Sequence, residues 1–225
     1  MKRVFLLAIL IMVLVCSHAS AKEVTYERVR NAINRIDVED IKNSEVLLEN
    51  VDPVDGQYAL LALIYSFYTD FYTFIEEDKN KAKTYNDSAI ETAQKALEYD
   101  YGLATTYSIV AEGYANKITG PFSGIRYGRR VSDAIEMAEA IDPGNEHLAY
   151  LQAKRYLLAP SLAGGDRNKA IAGFTKLTEL NPASSFYFAF LGECYKRSDQ
   201  ELAQAMFQRA IVLSPNNTWA IRELQ

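Results

Sequence analysis

The chain has 225 residues, 49% of them hydrophobic, and its 24 Lys and Arg face 29 Asp and Glu for a formal net charge of −5. An acidic balance without a basic stripe argues against a nucleic-acid partner and against simple adsorption to anionic membranes. The length is enough for a substantial core, as one elongated domain or two small ones.

Lys2 and Arg3 precede an unbroken apolar run, residues 4–15, which gives way to Ser17-His18 and then Ala19-Ser20-Ala21. A basic start, a short apolar stretch and an A-x-A ending predict a secretory signal peptide over residues 1–21. The run is too short for a comfortable membrane span. Cys16 raises lipid anchoring, but Val15 and Val13 stand where bacterial lipoproteins carry a small residue and a Leu. Soluble export, periplasmic or secreted, is therefore the expectation. Cleavage after Ala21 removes Cys16 and His18, leaving Cys194 and His147 as the only residues of their kinds. No intrachain disulfide is then available, and a Cys/His metal site lacks ligands. No cofactor and no metal are expected. Cys194 reads as a buried structural thiol and His147 as an exposed residue at a helix start.

Helical spacing predicts short helices over residues 24–36 and 38–50, the second capped by Asp37. Residues 51–56, Val-Asp-Pro-Val-Asp-Gly, break the pattern. Residues 57–75 then form the most apolar stretch after the leader, studded with Tyr and Phe, and predict one long helix buried almost all round. Its partner spans about 79–99. Further pairs are predicted at 103–118 with 127–141, at 146–158 with 166–180, and at 184–197 with 200–213. A short capping helix is expected at 219–224. The Gly- and Pro-rich segments 119–124 and 160–165 read as turns within pairs, with Asp166 capping the helix that follows.

One spacing recurs through these pairs. Leu191-Gly192-x2-Tyr195 precedes Ala203-x3-Phe207-x2-Ala210-x4-Pro215. Upstream stand Ala170-x3-Phe174-x2-Leu177-x4-Pro182 and Val131-x3-Ile135-x2-Ala138-x4-Pro143. A fainter copy, Ala89-x3-Ala93-x2-Ala96, ends in Asp100-Tyr101. Residues three and four apart share a helix face, so each unit has a small-and-aromatic stripe facing its partner. The pattern resembles the tetratricopeptide repeat, a helix–turn–helix unit of ~34 residues. The resemblance covers about residues 57–217 and implies an all-α fold, an α-solenoid of about four stacked hairpins in a right-handed superhelix. A helix pair at 22–56 precedes it and a capping helix at 218–225 follows.

That resemblance implies a concave groove lined by the first helix of each pair. Aligned on the motif tyrosine, the groove residues are Glu112, Asn116, His147, Tyr150, Lys154, Phe186, Glu193, Lys196 and Arg197, with Thr105 and Ser108 beside them. Such a wall suits a peptide or an exposed helix. The implied function is an exported scaffold, not an enzyme, that binds a protein or peptide partner in the cell envelope. The extended turns and Gly164-Gly165-Asp166 also resemble exported bacterial tetratricopeptide proteins, among them partners of TRAP-transporter binding proteins. The alternative is accordingly a small-ligand-binding accessory of a solute transporter, with the aromatics of 58–74 lining a pocket. For an enzyme, Asp70 and Glu112 are the interior-leaning acids that a shared cleft would need.

Overall fold

The computed structural model describes residues 24–50, 56–99 and 103–225. The predicted leader with Cys16, most of the 51–56 breaker and Asp100-Tyr101 lie outside the described residues. Among the described residues the regular structure is helical, without strands. Two short helices, α1 (Tyr26–Arg35) and α2 (Val38–Glu49), lead into hairpins. The first hairpin is α3 (Gln57–Asp70, prolonged by a π-helical turn Phe71–Ile75) with α4 (Lys79–Glu98). The next are α5 (Ala104–Asn116) with α6 (Pro121–Ile141), α7 (Glu146–Leu158) with α8 (Arg167–Leu180), and α9 (Ser185–Tyr195) with α10 (Gln200–Leu213). Helix α11 (Thr218–Glu223) ends the chain.

The helix starts follow from side chains that satisfy otherwise orphaned N–H groups. Thr25, Asp37, Asp78, Asn145, Asp166, Ser184, Asp199 and Asn217 each accept a backbone N–H of the first turn they cap. The recurring stripes face inward. Ala170, Phe174 and Leu177 are fully buried, and Ala203, Phe207 and Ala210 almost so. Ala89, Ala93 and Ala96 behave alike, as do Val131 and Ala138. Small residues let the axes approach closely. A Cβ on Gly192 would sit 2.9 Å from the Phe207 ring, so the glycine of the Leu-Gly-x2-Tyr element makes the seat for the aromatic of its partner helix. Cys194 is fully buried as expected, and burial pushes its thiol up to about 12.

Two segments differ from the sequence expectation. Residues 121–126 are helical, where the Gly-Pro composition suggested a turn as far as Tyr127. Pro121 occupies the first helical position, where its missing N–H costs nothing, and Ser123 Oγ accepts the N–H of Thr119 (2.9 Å) and of Gly120 (3.0 Å). The 57–75 helix does not run as one regular element, because a π turn widens its last stretch. The 160–165 turn is as expected, with a short 3₁₀ piece at Ser161–Ala163. There, Gly164 adopts φ +89° and a Cβ on Gly165 would fall 1.9 Å from the Ala159 carbonyl oxygen.

The A helices α3, α5, α7 and α9 form the inner layer, and α4, α6, α8 and α10 the outer one. The inner layer curls until its ends meet. Phe67 and Phe74 of α3 and its π turn lie 5.9 Å and 4.9 Å, ring to ring, from Phe186 and Phe190 of α9. Helix α11 completes the closure. Trp219 stacks on Phe74 at 5.0 Å, Thr218 Oγ1 and Arg222 donate to the Ile75 carbonyl at 3.0 Å, and Arg222 pairs with Glu77.

Candidate functional site

Closure of the inner layer brings six polar side chains from three A helices to one point. Ser66 and Asp70 lie one turn apart on α3, Glu112 projects from α5, and His147, Tyr150 and Lys154 share a face of α7. Lys154 is 3% exposed, Glu112 2% and Asp70 6%. Lys154 Nζ donates to Asp70 Oδ1 (2.8 Å) and Oδ2 (3.0 Å) and also to Glu112 Oε1. Ser66 Oγ donates to Glu112 Oε2 at 2.6 Å, His147 Nε2 lies 3.1 Å from the same oxygen, and the Tyr150 hydroxyl donates to Asp70 Oδ2.

The electrostatics are those of a closed centre. Burial disfavours the charge on Glu112, but Lys154 and His147 outweigh it and hold its carboxyl below the usual range. At Asp70 burial is the larger effect and pushes the carboxyl up, against the pull of Lys154. Burial opposes the Lys154 charge too, and the two carboxylates overcome it and raise its pKa. All four carboxylate oxygens have a donor, so neither acid is placed as a free base. Among the described residues no group of three His, Cys, Asp or Glu side chains is placed to hold a metal ion.

Helix α1 lies over one mouth of this interior. Val29 and Ala32 are fully buried. Arg30 pairs with Glu146 at 2.5 Å, and Glu146 also accepts from Tyr187 (3.0 Å) and Asn181 (2.9 Å). Asn34 and Asn181 exchange amide hydrogen bonds at 3.3 Å and 3.0 Å. Between α1 and the charge centre is a cavity of about 70 Å³, walled by aromatic side chains such as Tyr26, Phe67, Tyr150 and Tyr187 and floored by Asp70 and His147.

The residues expected along a concave groove therefore fall into two sets. Glu112, Tyr150, Lys154 and Phe186 are interior, in contact with neighbouring A helices. His147 is not the exposed helix-start residue expected of it: its side chain is only 13% exposed because it reaches inward to Glu112. Glu193 is half-buried, while Asn116, Lys196 and Arg197 are exposed. Lys196 bridges Glu193 (3.0 Å) and Glu223 (2.7 Å), tying α9 to α11. Thr105 accepts from Asn145, and Ser108 donates back to the Ala104 carbonyl. Of the aromatic helix, Phe71 is core and Tyr65 reaches Glu49, so they do not line the α1 cavity; Phe67 does.

No protein-family model matches the chain, and no curated relative does. Solved structures do. TTC0263, a thermophilic tetratricopeptide-repeat protein of Thermus thermophilus, superposes with a TM-score of 0.56 at 16% identity, over 88% of this chain and 95% of that one. The chain has the tetratricopeptide-repeat fold. Two other such matches are looser: YrrB, a tetratricopeptide-repeat protein with an unusual peptide-binding site (TM-score 0.42, 15% identity, 89% of this chain, 92% of that one), and MamA (0.39, 17%, 83% and 89%). In this tetratricopeptide-repeat solenoid the inward side of the A helices is thus largely core, with α1 seated at its mouth. No helix among the described residues is long and apolar enough to cross a membrane.

Proposed function

We propose that this chain is an exported scaffold, without catalysis of its own, that holds a protein or peptide partner of the cell envelope on the A-helix side of its solenoid. One observation supports this most: that side already receives an amphipathic helix, α1, through buried Val29 and Ala32 and polar anchors at Arg30 and Asn34. A surface that seats a helix in cis has the apolar floor and flanking charges that seat one in trans. The accessible part of the partner surface is Asn116, Glu193, Lys196 and Arg197, with His147 at its edge. A partner reaching Tyr150, Lys154 or Phe186 takes the place of α1. The basic start, short apolar run and A-x-A ending of residues 1–21 support export to the envelope.

The test is affinity capture from native envelope with variants of the full chain. Lys196→Glu with Arg197→Glu should lose the partner. Arg30→Glu, which sets two carboxylates against each other and loosens α1, should retain more of it. Capture unchanged by both variants would sink the reading. The alternative, a small-ligand-binding accessory of a solute transporter of the TRAP-associated kind, would use the aromatic-walled cavity beneath α1, whose volume of about 70 Å³ admits only a very small solute. In that case a small solute, not a polypeptide, would stabilise the chain and bury the α1 amides against hydrogen exchange.

A further inference from the structure

A second cleft lies away from the inner charge centre, between the end of α3, the first turns of α4, the last turn of α5 and the start of α6. Its volume is about 640 Å³, inside the ~300–1,000 Å³ range of small-molecule sites. It opens where the π turn Phe71–Ile75 widens α3 and brings Thr73 to its wall. Such π turns occur often at functional sites. Ala82 and Tyr127 also line the cleft.

The charges in this cleft do not balance. Lys79, Lys83 and Lys117 line it, against Asp87 as the only acid of the lining. Asp87 accepts from Lys83 at 3.0 Å and forms an ion pair with Lys117 at 2.6 Å. Lys79 has no ion pair among the described residues. In a chain of net charge −5, a cleft with this positive excess runs against the background. Burial of Asp87 works against its charge, yet the hydrogen bonds from Lys117 and Lys83 prevail and hold its carboxyl below the usual range. The lysines therefore already act on one carboxylate, with positive charge to spare. Asn116 points one amide N–H at Asn86 Oδ1 (2.9 Å) and keeps a second to donate.

We infer that this cleft binds a small organic anion bearing one or two carboxylates, gripped by Lys79, Lys83 and Lys117 with Asn116 as a neutral donor. Asp87 sets the limit on affinity, since it competes for two of the three ammonium groups. This site shares Asn116 with the partner surface proposed above, but its three lysines lie outside that surface, and it stands or falls independently of it.

Isothermal titration of the full chain at low ionic strength tests it, with glutarate, inorganic phosphate and ethylenediamine as probes. Glutarate should bind, more tightly than phosphate, and ethylenediamine should give no heat. Added salt should weaken the binding, as screening of exposed charges requires. Lys79→Gln with Lys117→Gln should weaken glutarate at least ~10-fold, the loss of about 1.4 kcal/mol or more. Asp87→Asn should move affinity the other way, several-fold tighter. Should the double variant melt early, exposed and unpaired Lys79→Gln alone replaces it, with a weakening of ~3-fold expected from one lost charge–carboxylate contact. No heat with glutarate, equal or tighter binding of phosphate, or variants that bind like the parent would each overturn the inference.

Discussion

At the scale of single residues, Lys154 carries the most consequence. Removing one partner of a buried ion cluster costs ~3–5 kcal/mol because the remaining charge is left uncompensated. Lys154→Met should therefore lower stability by about that much, read by urea unfolding at neutral pH. The loss should shrink in acid. Without the ammonium both carboxyls are raised in the folded state, so the variant binds protons more readily folded than unfolded and gains stability as pH falls. The parent behaves in the opposite sense through Glu112. Its depressed folded pKa contributes stability above the ordinary carboxylate range that is lost as acid protonates it. Asp70, raised by burial, offsets part of this. Glu112→Gln should accordingly flatten the acid limb of the unfolding midpoint plotted against pH. Cys194, with its thiol at about 12 and no exposed surface, should resist iodoacetamide at pH 8 until the chain unfolds. Labelling of the folded chain would contradict its placement.

At the scale of elements, the hairpins depend on close axis approach and on caps. Gly192→Ala places a methyl against Phe207, and overpacking of a fitted seam costs ~1–3 kcal/mol. Asp199→Ala removes the acceptor for the Leu202 N–H and should cost ~1 kcal/mol. Thermal melts of the two variants should rank in that order, since the first disturbs packing and the second an exposed cap. Cap residues are short-range, which is why Asp37 and Asp166 mark their helices in the sequence. The start of α6 was obscured because glycine and proline mark turns by composition, whereas a proline at the first helical position marks a start. The π turn had no local mark. It occurs where Phe74 reaches Phe190 and Trp219 across the molecule, contacts that no nearby spacing encodes.

At the scale of the whole molecule, closure decides what the inner face is. Trp219 and Arg222 bind the end of α3 and its π turn, so the solenoid meets its own beginning. A compact chain of this length has a radius of gyration of about 17 Å. Small-angle scattering should fall near that value, and Arg222→Ala with Trp219→Ala should raise it. A clearly larger parent value would mean an open superhelix.

The sequence by itself determined the helical hairpins, their small-and-aromatic stripes and hence the repeat, because those contacts join residues one or two turns apart, or partner helices joined by a short turn. It also marked Asp70 and Glu112 as acids leaning inward. Only the tertiary structure decided that Lys154 stands between them, that α1 sits over the A-helix mouth, and that three lysines from two helices face one cleft. Each of these joins residues tens of positions apart, and their meeting depends on how tightly the stack curls, a quantity summed from every seam and written in none of them.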